Sequence, residues 1–129
     1  MRHHSKRCNL RLMTRFVMQL IAASLMAACG GGAADGDVAR GQQVFSEHCV
    51  ACHSVSSEVV IVGPSLAGVA TRAAANRDNL QPRQVLRRAI LSPQAEIVEG
   101  FADLMPPDFE RRLVEADLEA LLSYLMTLE

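Results

Sequence analysis

Tryptophan is absent from this 129-residue sequence, and with one tyrosine and four phenylalanines the aromatics reach only 4%. That is lean for a hydrophobic core, and a domain of about 100 residues so built often needs a staple. No apolar run is long enough to cross a bilayer comfortably. The longest, Phe16 to Ala28, is about 13 residues and is broken by Gln19 and Ser24. Alternating strand patterns are also missing. The cluster Val59-Val60-Ile61-Val62 has β propensity but no partner run, so residues 54–62 read as an extended, partly buried loop. Lysine occurs only as Lys6. All 14 acids lie beyond Cys29, where they face eight arginines for a net charge of −6. Such an acidic chain argues against a nucleic-acid partner. It permits steering toward a basic docking patch, and equally it serves solubility.

What is present is Cys49-Val50-Ala51-Cys52-His53. In one helical turn this spacing brings both thiols to one side and points the imidazole to the same region. Three chemistries use such a pair. A thioredoxin-like redox site needs a βαβ setting, which the flanking sequence does not offer. A zinc site needs a second Cys/His pair. His3 and His4 lie in a targeting segment, and His48 is too close to Cys49 to converge with the other three. The third is covalent haem attachment, in which each thiol adds to a vinyl group and His53 becomes the proximal iron ligand. This reading also supplies the missing staple, because a buried porphyrin replaces aromatic side chains.

The N-terminal residues form a separate unit. Arg2, Lys6, Arg7, Arg11 and Arg15 precede the apolar run without any acid. Residues 1–28 therefore read as a signal peptide. The run ends Leu25-Met26-Ala27-Ala28-Cys29, which resembles a bacterial lipobox with Met26 where that pattern usually has Leu. Cys29 is then the lipidated mature N-terminus. Plain secretory cleavage and an uncleaved anchor are the alternatives. Residues 29–36, with Gly30-Gly31-Gly32, read as a flexible tether. Cys8 is assigned no role.

The domain spans residues 37–129. Asp37 is the expected N-cap of a helix to about Cys49, with Gly41 and Phe45 one turn apart. Pro82 suits the first position of a second helix, whose Val85, Leu86, Ala89 and Ile90 form an apolar face while Arg83, Arg87 and Arg88 point elsewhere. Ser92-Pro93 ends it. A last helix runs from Glu115 to about Leu128, with Leu118, Leu121, Leu122, Leu125 and Leu128 as its stripe. Its acids Glu115, Asp117 and Glu119 suit the helix dipole.

Between these helices lie Gly63-Pro64-Ser65-Leu66 and Arg72. Taken alone, Gly63-Pro64 is a turn signal. Together with the Cys49–His53 pattern, the chain from Asp37 to Glu129 resembles the class I c-type cytochromes. The resemblance implies an all-α fold around one covalently bound haem c. It further implies that the Pro64 carbonyl orients His53, that Leu66 packs on the porphyrin and that Arg72 meets a propionate. The first and last helices would cross with Gly41 and Phe45 against Leu121, Tyr124 and Leu125. Family members usually cap the last helix with Ser or Thr, whereas Val114 stands here.

Beyond Cys29 the only methionines are Met105 and Met126. Met126 sits in a helical apolar segment and reads as core. Met105 lies in an irregular stretch before Pro106 and Pro107, which donate no N–H and restrict the residue before them. Such a loop can hold a thioether outward, so Met105 is the expected second axial ligand of a His/Met haem. The run Ile97-Val98-Glu99-Gly100-Phe101 with Met105-Pro106-Pro107 is similar to the cytochrome c domain fused to subunit II of some bacterial terminal oxidases. The expected function is one-electron transfer rather than enzymatic catalysis. It is placed on the extracytoplasmic side of a bacterial membrane, with a membrane oxidoreductase or terminal oxidase as partner. A haem-based catalyst or sensor with a displaceable Met105, and a haem-bearing subunit of a larger complex, are the alternatives.

Overall fold

Gly41 sets where the first and last helices cross. The computed structural model describes residues 33–57, 59–75 and 79–129, and Ala33–Glu129 form one compact unit. Its helices are α1 (Ala33–His48), α2 (Val69–Ala74), α3 (Pro82–Leu91), α4 (Phe109–Arg112) and α5 (Glu115–Leu125), with a 3-10 turn at Pro93–Ala95. The described residues contain no strand, so the fold is all-α as expected. α1 and α5 form the most extensive helix pair. A Cβ placed on Gly41 would lie 2.6 Å from the carbonyl carbon of Ala120 and 2.8 Å from Cβ of Tyr124. Only glycine lets the two backbones approach this closely. One turn on, the Phe45 and Tyr124 rings meet at 5.6 Å with a 54° tilt, a favourable aromatic arrangement. Val44, Leu121 and Leu122 are the most deeply buried large side chains. The crossing lies where the sequence puts it, with Ala120 as an added contact.

α1 starts at Ala33 rather than after Asp37, so residues 33–36 are helical and not tether. Two alanines of high helix propensity and Asp35 in the first turn account for the extension. The expected signal peptide, the expected lipidation site Cys29 and the glycines Gly30–Gly32 lie outside the described residues. α5 stops at Leu125, and Met126 caps it by donating its N–H to the Leu122 carbonyl. Val114 occupies the N-cap without a side-chain bond. Two short helices, α2 and α4, were not expected. Each has fewer than two turns, too few residues to show a periodicity. The aliphatic run Val59–Val62 is exposed rather than partly buried.

The acids at the start of α5 do more than complement a dipole. Arg87 of α3 binds Glu115 through two parallel contacts of 2.8 Å and reaches Glu119 at 2.7 Å. Arg83 bonds the Glu119 carboxylate at 2.6 Å and the Ser123 hydroxyl at 3.2 Å. Arg40 of α1 pairs with Asp117 at 2.8 Å. The hydrogen bond from Arg87 holds the Glu115 carboxyl below the usual carboxylate range. Isolated exposed pairs contribute little, but shared carboxylates and bidentate geometry make this a network that ties α1 and α3 to α5.

Replacing Gly41 with leucine should lower the thermal midpoint of the holoprotein, because overpacking typically costs about 1–3 kcal/mol. An unchanged melting curve would mean that the helices do not touch at Gly41.

Candidate functional site

The C-terminus of α1 delivers the first thiol. The Phe45 carbonyl accepts the N–H groups of Cys49 and Val50 at 2.9 and 3.2 Å. The Cys49 carbonyl then accepts those of Cys52 and His53 at 3.0 and 2.9 Å. Cys49–His53 is thus one tight turn fixed to the end of the helix, as its spacing suggests. The chain comes back beside it. Val62 and Gly63 both donate to the Cys52 carbonyl at 3.2 and 2.9 Å, and Leu66 donates to the Ser54 carbonyl at 2.8 Å.

This lacing puts the Pro64 carbonyl 2.8 Å from Nδ1 of His53. A carbonyl only accepts, so Nδ1 carries a proton, and in the neutral imidazole Nε2 is then the nitrogen with the free lone pair. That is the tautomer a metal-binding imidazole needs, and the bond fixes the ring's orientation. Gly63 is required for the same approach. A Cβ there would lie 2.9 Å from both ring nitrogens. The sequence marks Gly63-Pro64 as a turn, but it does not reveal that the glycine is flat against the imidazole.

Cys49, Cys52, His53, Pro64, Leu66, Arg72 and Met105 all line one cavity of about 490 Å³. This volume falls within the range of about 300–1,000 Å³ typical of small-molecule and cofactor sites. Its apolar walls include Leu86, Ile90, Phe109, Leu121 and Leu125. His48 and Phe101 also reach the cavity, and neither was expected there. Arg72 is engaged by the loop itself. It donates to the Ser65 carbonyl at 2.8 Å and to the Ala67 carbonyl. Met105 is half-buried, and its carbonyl accepts a bond of 3.0 Å from Nε2 of Gln94. Met126 packs against the core cluster, in line with its sequence reading.

The alternative chemistries fit less well. Among the described residues no group of three or more His, Cys, Asp or Glu could hold a metal ion by itself. Burial, reinforced by the neighbouring Cys52, pushes the Cys49 thiol up to about 11. A dithiol redox catalyst requires the opposite shift.

A family model described as cytochrome c matches residues 38–129, well over half of the chain. The chain belongs to the cytochrome c family. No curated protein matches it. Cytochrome c domains typically carry electrons rather than catalyse reactions, and membership implies a covalently bound haem c. The residues present fit such a group. Two thiols, an imidazole in the metal-binding tautomer and a thioether share one apolar cavity.

In this cytochrome, Gly63→Ala should force the imidazole away from Pro64. The loss of that bond and the overpacking together should cost about 1–3 kcal/mol. The checks are a lower thermal midpoint and an altered haem spectrum of the holoprotein. A variant identical to wild type in both would contradict the packing of Gly63 against His53.

Proposed function

We propose that this cytochrome is a one-electron carrier in an extracytoplasmic respiratory or related chain. Its single haem c would be attached through Cys49 and Cys52, with His53 and Met105 as axial ligands. The observation that carries the reading is the His53–Pro64 hydrogen bond at the wall of a cavity that both thiols and Met105 also line. Held by His53 and Met105, the haem would supply an Fe(III)/Fe(II) couple, and a neutral thioether ligand would favour a fairly positive potential.

The chain's own residues have separate tasks. Pro64 holds the proton of His53 on Nδ1 and so directs Nε2 to the metal. Leu66, Leu86, Ile90 and Leu125 exclude water from the cavity. Arg72, steadied by two loop carbonyls, is the cation for a propionate. Two protein ligands, His53 and Met105, would leave no coordination position for a substrate, which would separate a carrier from a haem catalyst or sensor. Beyond Cys29 the chain contains no lysine, so no amine competes with Met105.

The apolar run before Cys29 supports export and a lipid anchor at that residue. A membrane oxidoreductase or terminal oxidase is the matching partner class. The oxidase-like segment from Ile97 to Pro107 supports the second of these.

Met105→Leu tests the carrier reading. The swap keeps volume and should cost under about 1.5 kcal/mol, so the fold persists. The near-infrared sulfur-to-iron band should disappear, and the reduced protein should bind carbon monoxide. Persistence of the band in Met105→Leu, with its loss in Met126→Leu, would assign the ligand to the other methionine. A wild-type protein that binds carbon monoxide at rest would favour the sensor or catalyst reading.

A further inference from the structure

We infer that Gln94 is a positioning residue that holds the Met105 loop in its ligating conformation. The inference rests on the proposed His53/Met105 ligation and extends it to a residue that does not enter the cavity.

Apart from an exposed contact of 3.5 Å between Arg88 of α3 and Glu96 near its start, and the packing of Met105 on the core, the loop has little else to hold it. No helix forms between Ala95 and Phe109, and residues 94–100 and 102–104 are exposed. Pro106 and Pro107 stiffen the chain after Met105 but have no N–H to anchor it. Within the segment, the backbone bonds are two short-range turns, Phe101 to the Val98 carbonyl at 3.1 Å and Leu104 to the Ala102 carbonyl at 2.9 Å. Neither ties the loop to a helix.

Gln94 does. It sits in the 3-10 turn Pro93–Ala95, directly after α3. That turn is fixed by the buried Pro93, by Ser92 donating to the Arg88 carbonyl at 2.8 Å and by Ala95 donating to the Ser92 carbonyl at 2.9 Å. From this base Nε2 of Gln94 reaches the Met105 carbonyl at 3.0 Å and Oδ1 of Asp103 at 3.2 Å. Both partners are pure acceptors, so the amide's NH₂ end must face them, with one N–H for each. The two bonds bracket Leu104 and Met105 and close the loop from Gln94 to Met105 against the end of α3. Closing such a loop limits the conformations through which the thioether could leave the iron.

The test uses the holoprotein and compares Gln94→Leu, Gln94→Glu and Gln94→Arg. Leucine removes the donors, and glutamate keeps the shape but offers only acceptors at neutral pH. Arginine restores N–H donors and cannot ligate iron. The readouts are the near-infrared sulfur-to-iron band of the oxidised protein, the rate of carbon monoxide binding to the reduced protein, and the thermal midpoint. Leucine and glutamate should weaken the band and speed carbon monoxide binding roughly tenfold, the factor equivalent to about 1.4 kcal/mol. Arginine should bring both back toward wild type. The positioning role is overturned if the band and rate are unchanged in all three variants. It is also overturned if arginine fails to restore them while all three melt equally early. A wild-type band that survives Met105→Leu overturns the ligation itself, so the two failures are distinguishable.

Discussion

The hydrogen bond between Nδ1 of His53 and the Pro64 carbonyl, 2.8 Å long, is the constraint around which the site is built. It joins two segments that are eleven residues apart, and it settles the tautomer of the imidazole by chemistry alone. The surrounding backbone serves that contact. The Cys52 carbonyl takes two N–H groups from the returning loop, and Leu66 is tied to Ser54. Gly63 leaves room for the ring where any side chain would collide with it. Arg72 closes the arrangement from outside by binding the carbonyls of Ser65 and Ala67.

The helices bring this turn to the right place. α1 ends at the first thiol, and its position is set by the close crossing of Gly41 over Ala120 and the Phe45–Tyr124 contact. Arginines on α1 and α3 converge on the acids of α5, so the three longest helices are joined by charge as well as by packing. The core and the cavity share residues. Leu86, Ile90, Phe109, Leu121 and Leu125 are buried and also line the cavity wall. An aromatic-poor chain of this size therefore keeps its apolar interior around a cofactor site rather than around its own rings. Membership in the cytochrome c family is the same conclusion reached by comparison.

Much of this was legible in the sequence. The Cys49–His53 spacing, Gly41 with Phe45, Pro82 at a helix start and the leucine stripe of α5 are local patterns, and local patterns survive folding. The role of Pro64 came from a family resemblance, and the structure supplies its geometry. Other features were hidden for physical reasons. The start of α1 was missed because the polyglycine stretch masks two alanines of good propensity. The pairing of Arg83 and Arg87 with Glu115 and Glu119 joins residues about 30 apart, and no periodicity reports such a distance. The reach of Gln94 across its loop has no sequence signal, because an isolated amide in an irregular stretch looks like any solvent-exposed glutamine. The exposed Val59–Val62 run misled in the other direction, since β propensity describes side-chain shape and not burial.

The most direct measurement is the intact mass of the matured protein, together with the mass of the peptide that carries Cys49 to His53. The account predicts one haem on that peptide, retained after denaturation, with both cysteines unavailable to alkylation. A peptide in which Cys49 and Cys52 alkylate as free thiols, or are joined to each other as a disulfide, in protein matured in an extracytoplasmic compartment would contradict it.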